Sequence, residues 1–170
     1  KGFAVRFGML AARGEYRFMC DADLSMPVSE FNRFLPPVLK NVDIAIASRE
    51  AAGAVRYDEP YYRHLIGRVY NSLTRLLLLP GLQDTQCGYK CFRGAVVEQL
   101  FSRQRLGGWS FDVEILFIAR RRGMRMVEVP ISWRYTTGSK VSVIRSALGV
   151  IRDLLTIRLN GWRGVYERPL

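Results

Sequence analysis

At 170 residues, with 49% hydrophobic and 24% charged side chains, the chain can bury a core of its own, which excludes a disordered tail. Its formal net charge of +11 is concentrated late: from Arg93 onward 14 Lys and Arg face 6 Asp and Glu, against 12 and 9 before that point. Such a surplus suits nucleic acid, anionic lipid headgroups or phosphorylated substrates, and composition does not choose among them.

Along residues 2–13, Val5, Met9 and Ala12 share one helical face and Gly14 stops the pattern, which predicts a packed amphipathic helix. A short apolar run over 16–20 reads as a strand and breaks off at Asp21-Ala22-Asp23, so both carboxylates fall at a strand's C-terminal end. Pro27 and Ser29 announce a second helix carrying Phe31, Phe34 and Leu35 and limited by Pro36-Pro37. Residues 43–47 form a buried-strand pattern closing on Ser48-Arg49. The stretch 50–60 has no period and contains Gly53 and Pro60, the pattern of a flexible loop. A long helix follows over 61–79 with Leu65, Val69, Leu73, Leu76 and Leu77 at helical spacing, ended by Pro80-Gly81.

An irregular polar segment, 83–90, then leads into a strand. Helices near 95–102 and 111–122, a strand over 126–129 and an extended piece to Tyr135 come next. The final helix, about 141–159, sets Ile144, Ala147, Leu148, Ile151 and Leu155 on one side and Arg145, Arg152 and Thr156 on the other, amphipathic and basic. Alternating strands and helices place the chain in the α/β class.

Cys20, Cys87 and Cys91 are odd in number and have only His64 to join them, so a zinc site is disfavoured and reduced thiols in a cytosolic setting are expected. No stretch reaches the roughly 20 apolar residues that span a bilayer. The first residue is Lys1, and the chain enters directly into a helical pattern, which reads as a cut edge.

Two carboxylates one residue apart beyond a buried strand, in a basic chain, suit a divalent cation held for a diphosphate, because hard oxygen ligands bind Mg2+ or Mn2+ and leave positions for substrate phosphates. Asp21 and Asp23 are the candidates; alone, the same pair also serves to cap the following helix. Asp84 reads either as a turn aspartate or as a site residue. Asp112 and Glu114 sit near a helix start, where compensation of the helix dipole competes with function. Trp109 and Trp133 read as core or rim packing, and His64 as a helix-surface residue. Neither aromatic-rich RNA signatures nor a helix-turn-helix pattern is present, so nucleic acid is not an expected partner.

Taken in order, the segments Gly2-Phe3-Ala4-Val5-Arg6-Phe7-Gly8 with Ala11-Ala12-Arg13-Gly14, Asp21-Ala22-Asp23-Leu24, Ala47-Ser48-Arg49, Gln83-Asp84-Thr85-Gln86-Cys87-Gly88-Tyr89-Lys90 and Trp109-Ser110-Phe111-Asp112-Val113-Glu114 carry a resemblance over essentially the whole chain. They resemble the polyprenyl (dolichyl) phosphate sugar synthases of glycosyltransferase family 2. The last two segments look more like the β-glucosyl branch, which uses UDP-glucose, than the mannosyl branch.

That resemblance implies a GT-A fold: here an N-terminally truncated, Rossmann-like mixed sheet with flanking helices over 1–140, lacking its first βα units. Residues 141–170 follow as a basic amphipathic helix and tail, whose pattern suits either packing of the apolar stripe on the sheet with its arginines in water or a place at the membrane interface. The resemblance places Asp21 near the nucleotide, Asp23 on an Mg2+ or Mn2+ ion with Asp21 beside it, and Arg49 near the phosphates. Arg63 would engage the acceptor phosphate together with Arg49, and Asp84 would face the donor sugar or the acceptor, these three forming the catalytic set. The segment between Arg49 and Arg63 would be a mobile cover. Ser25 stands where mannosyl relatives often have a Gln ligand.

The implied reaction is inverting transfer from UDP-glucose to a polyprenyl phosphate at the cytosolic face of a membrane. Alternatives are a GDP-mannose donor, a soluble acceptor, or a non-catalytic basic module binding nucleic acid or membrane. A phosphate monoester, with a second pKa of roughly 6, is already largely dianionic near neutral pH and needs no dedicated base.

Overall fold

The computed structural model describes residues 1–23, 25–135 and 143–168, with the backbone alone over 143–148. In chain order the elements are α1 (Gly2–Ala11), β1 (Tyr16–Met19), a 3-10 helix (Val28–Phe34), β2 (Ile44–Ser48), β3 (Val55–Tyr57), α2 (Tyr61–Leu77), β4 (Lys90–Arg93), α3 (Gly94–Phe101), α4 (Phe111–Arg121), β5 (Met126–Pro130), β6 (Ser132–Arg134) and α5 (Val143–Trp162). The main sheet runs β1-β4-β2-β5. β4 is antiparallel to both neighbours, and β2 is parallel to β5 with Ile44 opposite Met126 and Ser48 opposite Pro130. β3 and β6 form a separate parallel pair.

β2 is buried at all five positions, as a central strand must be. Its side chains alternate: Ile44 and Ile46 join the cluster built with Met9, Phe92, Leu100 and Leu116, while Ala45 and Ala47 join Met26, Phe34 and Tyr89. Full burial of each isoleucine contributes roughly 1.5–3 kcal/mol. A one-residue slip would exchange the two faces, so the register of β2 is set by this alternation.

Four sequence expectations change in three dimensions. The segment after Pro27 is a 3-10 helix, closed where Leu35 turns extended ahead of Pro36-Pro37. The stretch 50–60 is not an unstructured cover. It holds β3 and is pinned by Glu50, which pairs with Arg56, with Arg68 at 2.9 Å and with His64 at 3.4 Å.

Along α2 most of the residues at helical spacing face outward: Leu65, Val69 and Leu76 are 53%, 55% and 81% exposed, whereas Leu77 packs against the core and Asn71 and Thr74 are buried. The polar face turns inward because Asn71 Oδ1 accepts from both the backbone N (3.3 Å) and Oγ1 (3.2 Å) of Thr85. On α5, Leu154 and Ile157 fill the core while Ile151 and Leu155 face out. Its expected first residues, 141–142, and the side chains of Ile144, Arg145, Ala147 and Leu148 lie outside the described residues.

Candidate active site

The sheet's strand directions bring three of the candidate residues, Asp21, Arg49 and Asp84, to one end of the sheet. β1 ends there two residues before Asp21 and β2 ends there one residue before Arg49, and antiparallel β4 begins there, with Lys90 opposite both Met19 and Ile46. The polar segment 83–90 therefore arrives at the same end as Asp21.

Arg49 and Asp84 are joined directly. Arg49 Nε donates to Asp84 Oδ2 at 2.7 Å and Nη2 to Oδ1 at 2.9 Å, a two-pronged pair, and the Arg49 backbone N adds a third bond at 3.0 Å. Asp84 is fully buried, and its own backbone N donates to Glu128 Oε1 at 2.8 Å, beside Gln83 N to Oε2 at 2.8 Å. Burial pushes the Asp84 carboxyl upward, but the charge and hydrogen bonds of Arg49 outweigh it and bring the pKa down to about 2. The Arg49 guanidinium is held above its ordinary value by the same carboxylate, against the opposing effect of burial. Its exposed side lies 5.3 Å from the Trp133 ring centroid.

Asp21 meets this segment at Gly88. A Cβ on Gly88 would stand 1.9 Å from Asp21 Oδ2, so only glycine leaves that space to the carboxylate. Tyr89 Oη donates to the Asp21 carbonyl at 3.4 Å, and Lys1 Nζ pairs with Asp21 Oδ1 at 2.5 Å while lying 5.0 Å from the Trp109 ring centroid. Asp23 is exposed, and its Oδ1 accepts from Ser25 N at 3.1 Å in a local turn.

No group of three or more His, Cys, Asp or Glu converges as a metal centre among the described residues. Asp21 and Asp23 offer hard carboxylate oxygens of the kind a divalent cation takes; here Asp21 Oδ1 is paired with Lys1 Nζ and Asp23 Oδ1 accepts from Ser25 N. Arg63, at the start of α2, donates from Nη1 to Tyr135 Oη at 2.5 Å.

Asp112 and Glu114 lie in the first turn of α4, as the dipole reading expects, but both are buried and held by further partners. Asp112 accepts from the buried Lys90 Nζ at 2.9 Å, which also donates to the Cys87 carbonyl at 2.7 Å. Glu114 accepts from Arg105 N, Leu106 N and Tyr166 Oη, and burial raises its carboxyl pKa. Sequence reasoning passed over Lys90, Asn71, Glu128 and Tyr135 as supports. The one available signal was Lys90 itself, a charge at the start of a strand whose next two residues, Cys91 and Phe92, are apolar.

The sequence pattern described as "Glycosyl transferase family 2" matches residues 1–101. The dolichyl-phosphate beta-glucosyltransferase of Dictyostelium discoideum is 30% identical over 174 residues, covering 98% of this chain and 53% of that protein. Those of Saccharomyces cerevisiae and Homo sapiens are 31% and 32% identical, each covering 98% of this chain and 54% of the relative. The chain thus spans about half the length of the curated relatives it matches.

Among solved structures, a glucosyl-3-phosphoglycerate synthase from Mycobacterium tuberculosis, in complex with Mn2+, uridine-diphosphate-glucose and phosphoglyceric acid, superposes with a TM-score of 0.61 at 18% identity. That match covers 100% of this chain and 56% of the other, and it shows the GT-A fold. The chain belongs to glycosyltransferase family 2.

Proposed function

We propose that the full-length protein transfers glucose from UDP-glucose to a polyprenyl or dolichyl phosphate, inverting the configuration at the anomeric carbon, with Mg2+ or Mn2+ at Asp21 and Asp23. The observation that carries this reading is the gathering of Asp21, the Arg49–Asp84 pair and the segment 83–90 at one end of the sheet. The relatives' name supplies the sugar and the acceptor class.

In this reading Arg49, held rigidly by Asp84, and Arg63 bring positive charge to the acceptor phosphate. Two anionic reactants then approach without mutual repulsion dominating. Asp84 stays ionised at neutral pH with both oxygens engaged, so it positions Arg49 and does not accept a proton. The acceptor phosphate, already dianionic, attacks unaided. Asp21 and Asp23 would hold the cation, which when bound would neutralise the negative charge growing on the departing diphosphate.

The acceptor's lipid character matches the outer face of the fold. Leu65, Val69 and Leu76 of α2 and Ile151 and Leu155 of α5 are exposed, and the two helices touch where Arg158 Nη1 donates to the Leu77 carbonyl at 3.1 Å. We assign this face to the membrane, with Arg68, Arg75 and Arg152 at headgroup level. The cytosolic side is in keeping with the free thiols Cys20, Cys87 and Cys91. No helix among the described residues is long and apolar enough to cross a membrane.

The test is sugar transfer by the full-length protein from UDP-glucose to a polyprenyl phosphate in the presence of Mg2+. Transfer that collapses in Asp23→Ala is the expected result. Absence of transfer, or an Asp23→Ala variant as active as the parent, would overturn the reading.

A further inference from the structure

Arg63 differs from the other arginines around the site in what holds it. Arg49 is paired with Asp84, Arg56 with Glu50 and Glu59, Arg68 with Glu50 and Arg134 with Asp58. Arg63 pairs with no carboxylate among the described residues. Its partner is a neutral phenol: Nη1 donates to Tyr135 Oη at 2.5 Å, and the guanidinium lies 5.1 Å from the Tyr135 ring centroid. A carboxylate would orient this guanidinium but offset part of its charge. A tyrosine orients it through one hydrogen bond and the ring face and leaves the charge for an incoming anion.

Tyr135 is itself anchored. Its backbone N donates to the Tyr57 carbonyl at 2.9 Å, extending the β3–β6 pairing one step past Tyr57 opposite Arg134. Residues two apart on an extended strand share a face, so Tyr135 stands beside Trp133, with ring centroids 6.2 Å apart. Trp133 carries Arg49 at 5.3 Å as Tyr135 carries Arg63, while the intervening Arg134 turns the other way, to Asp58 and the Tyr57 ring. Trp133 also lies 6.0 Å from the Arg56 guanidinium, so Trp133 faces two carboxylate-paired arginines and Tyr135 faces Arg63, which has no carboxylate partner among the described residues.

We propose that Tyr135 is a positioning residue for acceptor binding: it holds Arg63, charge uncompensated, at a spacing from Arg49 set by the β6 extension, so that both cations meet one phosphate. This rests on the transfer reading above. Arg49 takes its aim from a buried carboxylate and Arg63 from a phenol at the protein surface, and the second device is the one that leaves a full positive charge to be neutralised by the substrate.

The experiment uses the full-length protein with UDP-glucose and a short-chain polyprenyl phosphate, comparing Tyr135→Phe, Tyr135→Ala, Arg63→Ala and the double variant Tyr135→Phe with Arg63→Ala. Tyr135→Phe, which keeps the ring and removes the hydroxyl, is expected to raise KM for the lipid phosphate about tenfold while kcat and the KM for UDP-glucose stay within about twofold. Tyr135→Ala raises the lipid-phosphate KM further. Added to Arg63→Ala, Tyr135→Phe is expected to change nothing more, since a residue that acts through another loses its effect when that other is gone.

An unchanged lipid-phosphate KM in Tyr135→Phe, or a full additive penalty on the Arg63→Ala background, overturns the proposal. So does a rise in both KM values together with a lowered Tm, which marks Tyr135 as a staple between β6 and α2. Failure of the unsubstituted protein both to bind the lipid phosphate in calorimetry and to transfer glucose rejects the transfer reading itself, and this proposal with it.

Discussion

Asp84 lies wholly inside the protein, yet it remains a carboxylate because Arg49 reaches it through two side-chain hydrogen bonds and one from the backbone. Its pKa in the folded protein, about 2, lies below the ordinary 3.8. A depressed carboxyl contributes stability that is complete above the unfolded value and is lost as pH falls through the folded one, here worth roughly 2 kcal/mol. Replacement by Asn keeps the shape but leaves a buried guanidinium without its counter-charge. We expect Asp84→Asn to lose about 3–5 kcal/mol of unfolding free energy in urea at neutral pH, with the gap to the parent narrowing as pH is lowered from about 4 toward 2. An equal gap at both ends of that range would show that the carboxylate's charge is not what holds Arg49. The aspartate was visible in the sequence as a polar residue ahead of a strand. Its partner was not, because residues 49 and 84 meet only when β2 and β4 are paired.

Among the elements, the stretch between β2 and α2 departs most from expectation. Glycine, proline and the lack of a period suggested a loop, and local composition supports nothing else. Its order comes from partners distant in sequence: β3 pairs with β6, and Glu50, only 8% exposed at its side chain, draws Arg56 from β3 and Arg68 from α2. Glu50→Gln should therefore free β3 without unfolding the main sheet. Amide exchange over Val55–Tyr57 is expected to accelerate about tenfold or more while that of β2 stays at the parent rate. Uniform acceleration across both would mean that Glu50 supports the whole fold. The same dependence on distant partners explains α4, whose Asp112 and Glu114 found Lys90 and Tyr166, far along the chain, in addition to the dipole of their own helix.

For the molecule as a whole, periodicity correctly located α2 and α5 but not the side each turns inward. Asn71 occupies the inner face of α2, where Thr85 of the segment 83–90 offers it two hydrogen-bond donors, and Thr74 is buried on the same face while Leu65, Val69 and Leu76 are exposed. An apolar face left open on two adjoining helices of a basic protein is the physical basis for the assigned membrane contact. Replacing Leu65, Val69 and Leu76 together with Ser is expected to reduce co-sedimentation with vesicles containing anionic lipid about tenfold or more. Tm should hold or rise slightly, since these side chains fill no core position. Undiminished sedimentation by the triple variant would assign the membrane contact elsewhere.

Residue order alone was enough to establish the α/β class and the position of most elements, because hydrophobic period and turn chemistry act over a few neighbouring residues, and it offered Asp21 and Asp23 as candidates; Arg49, Arg63 and Asp84 joined them through the family resemblance. Pairings of charges and the choice of inward face came from the folded arrangement. Arg49 with Asp84, Lys90 with Asp112 and Arg63 with Tyr135 are separated by 35, 22 and 72 positions. Contacts at such separation depend on strand order and register, which no local pattern encodes.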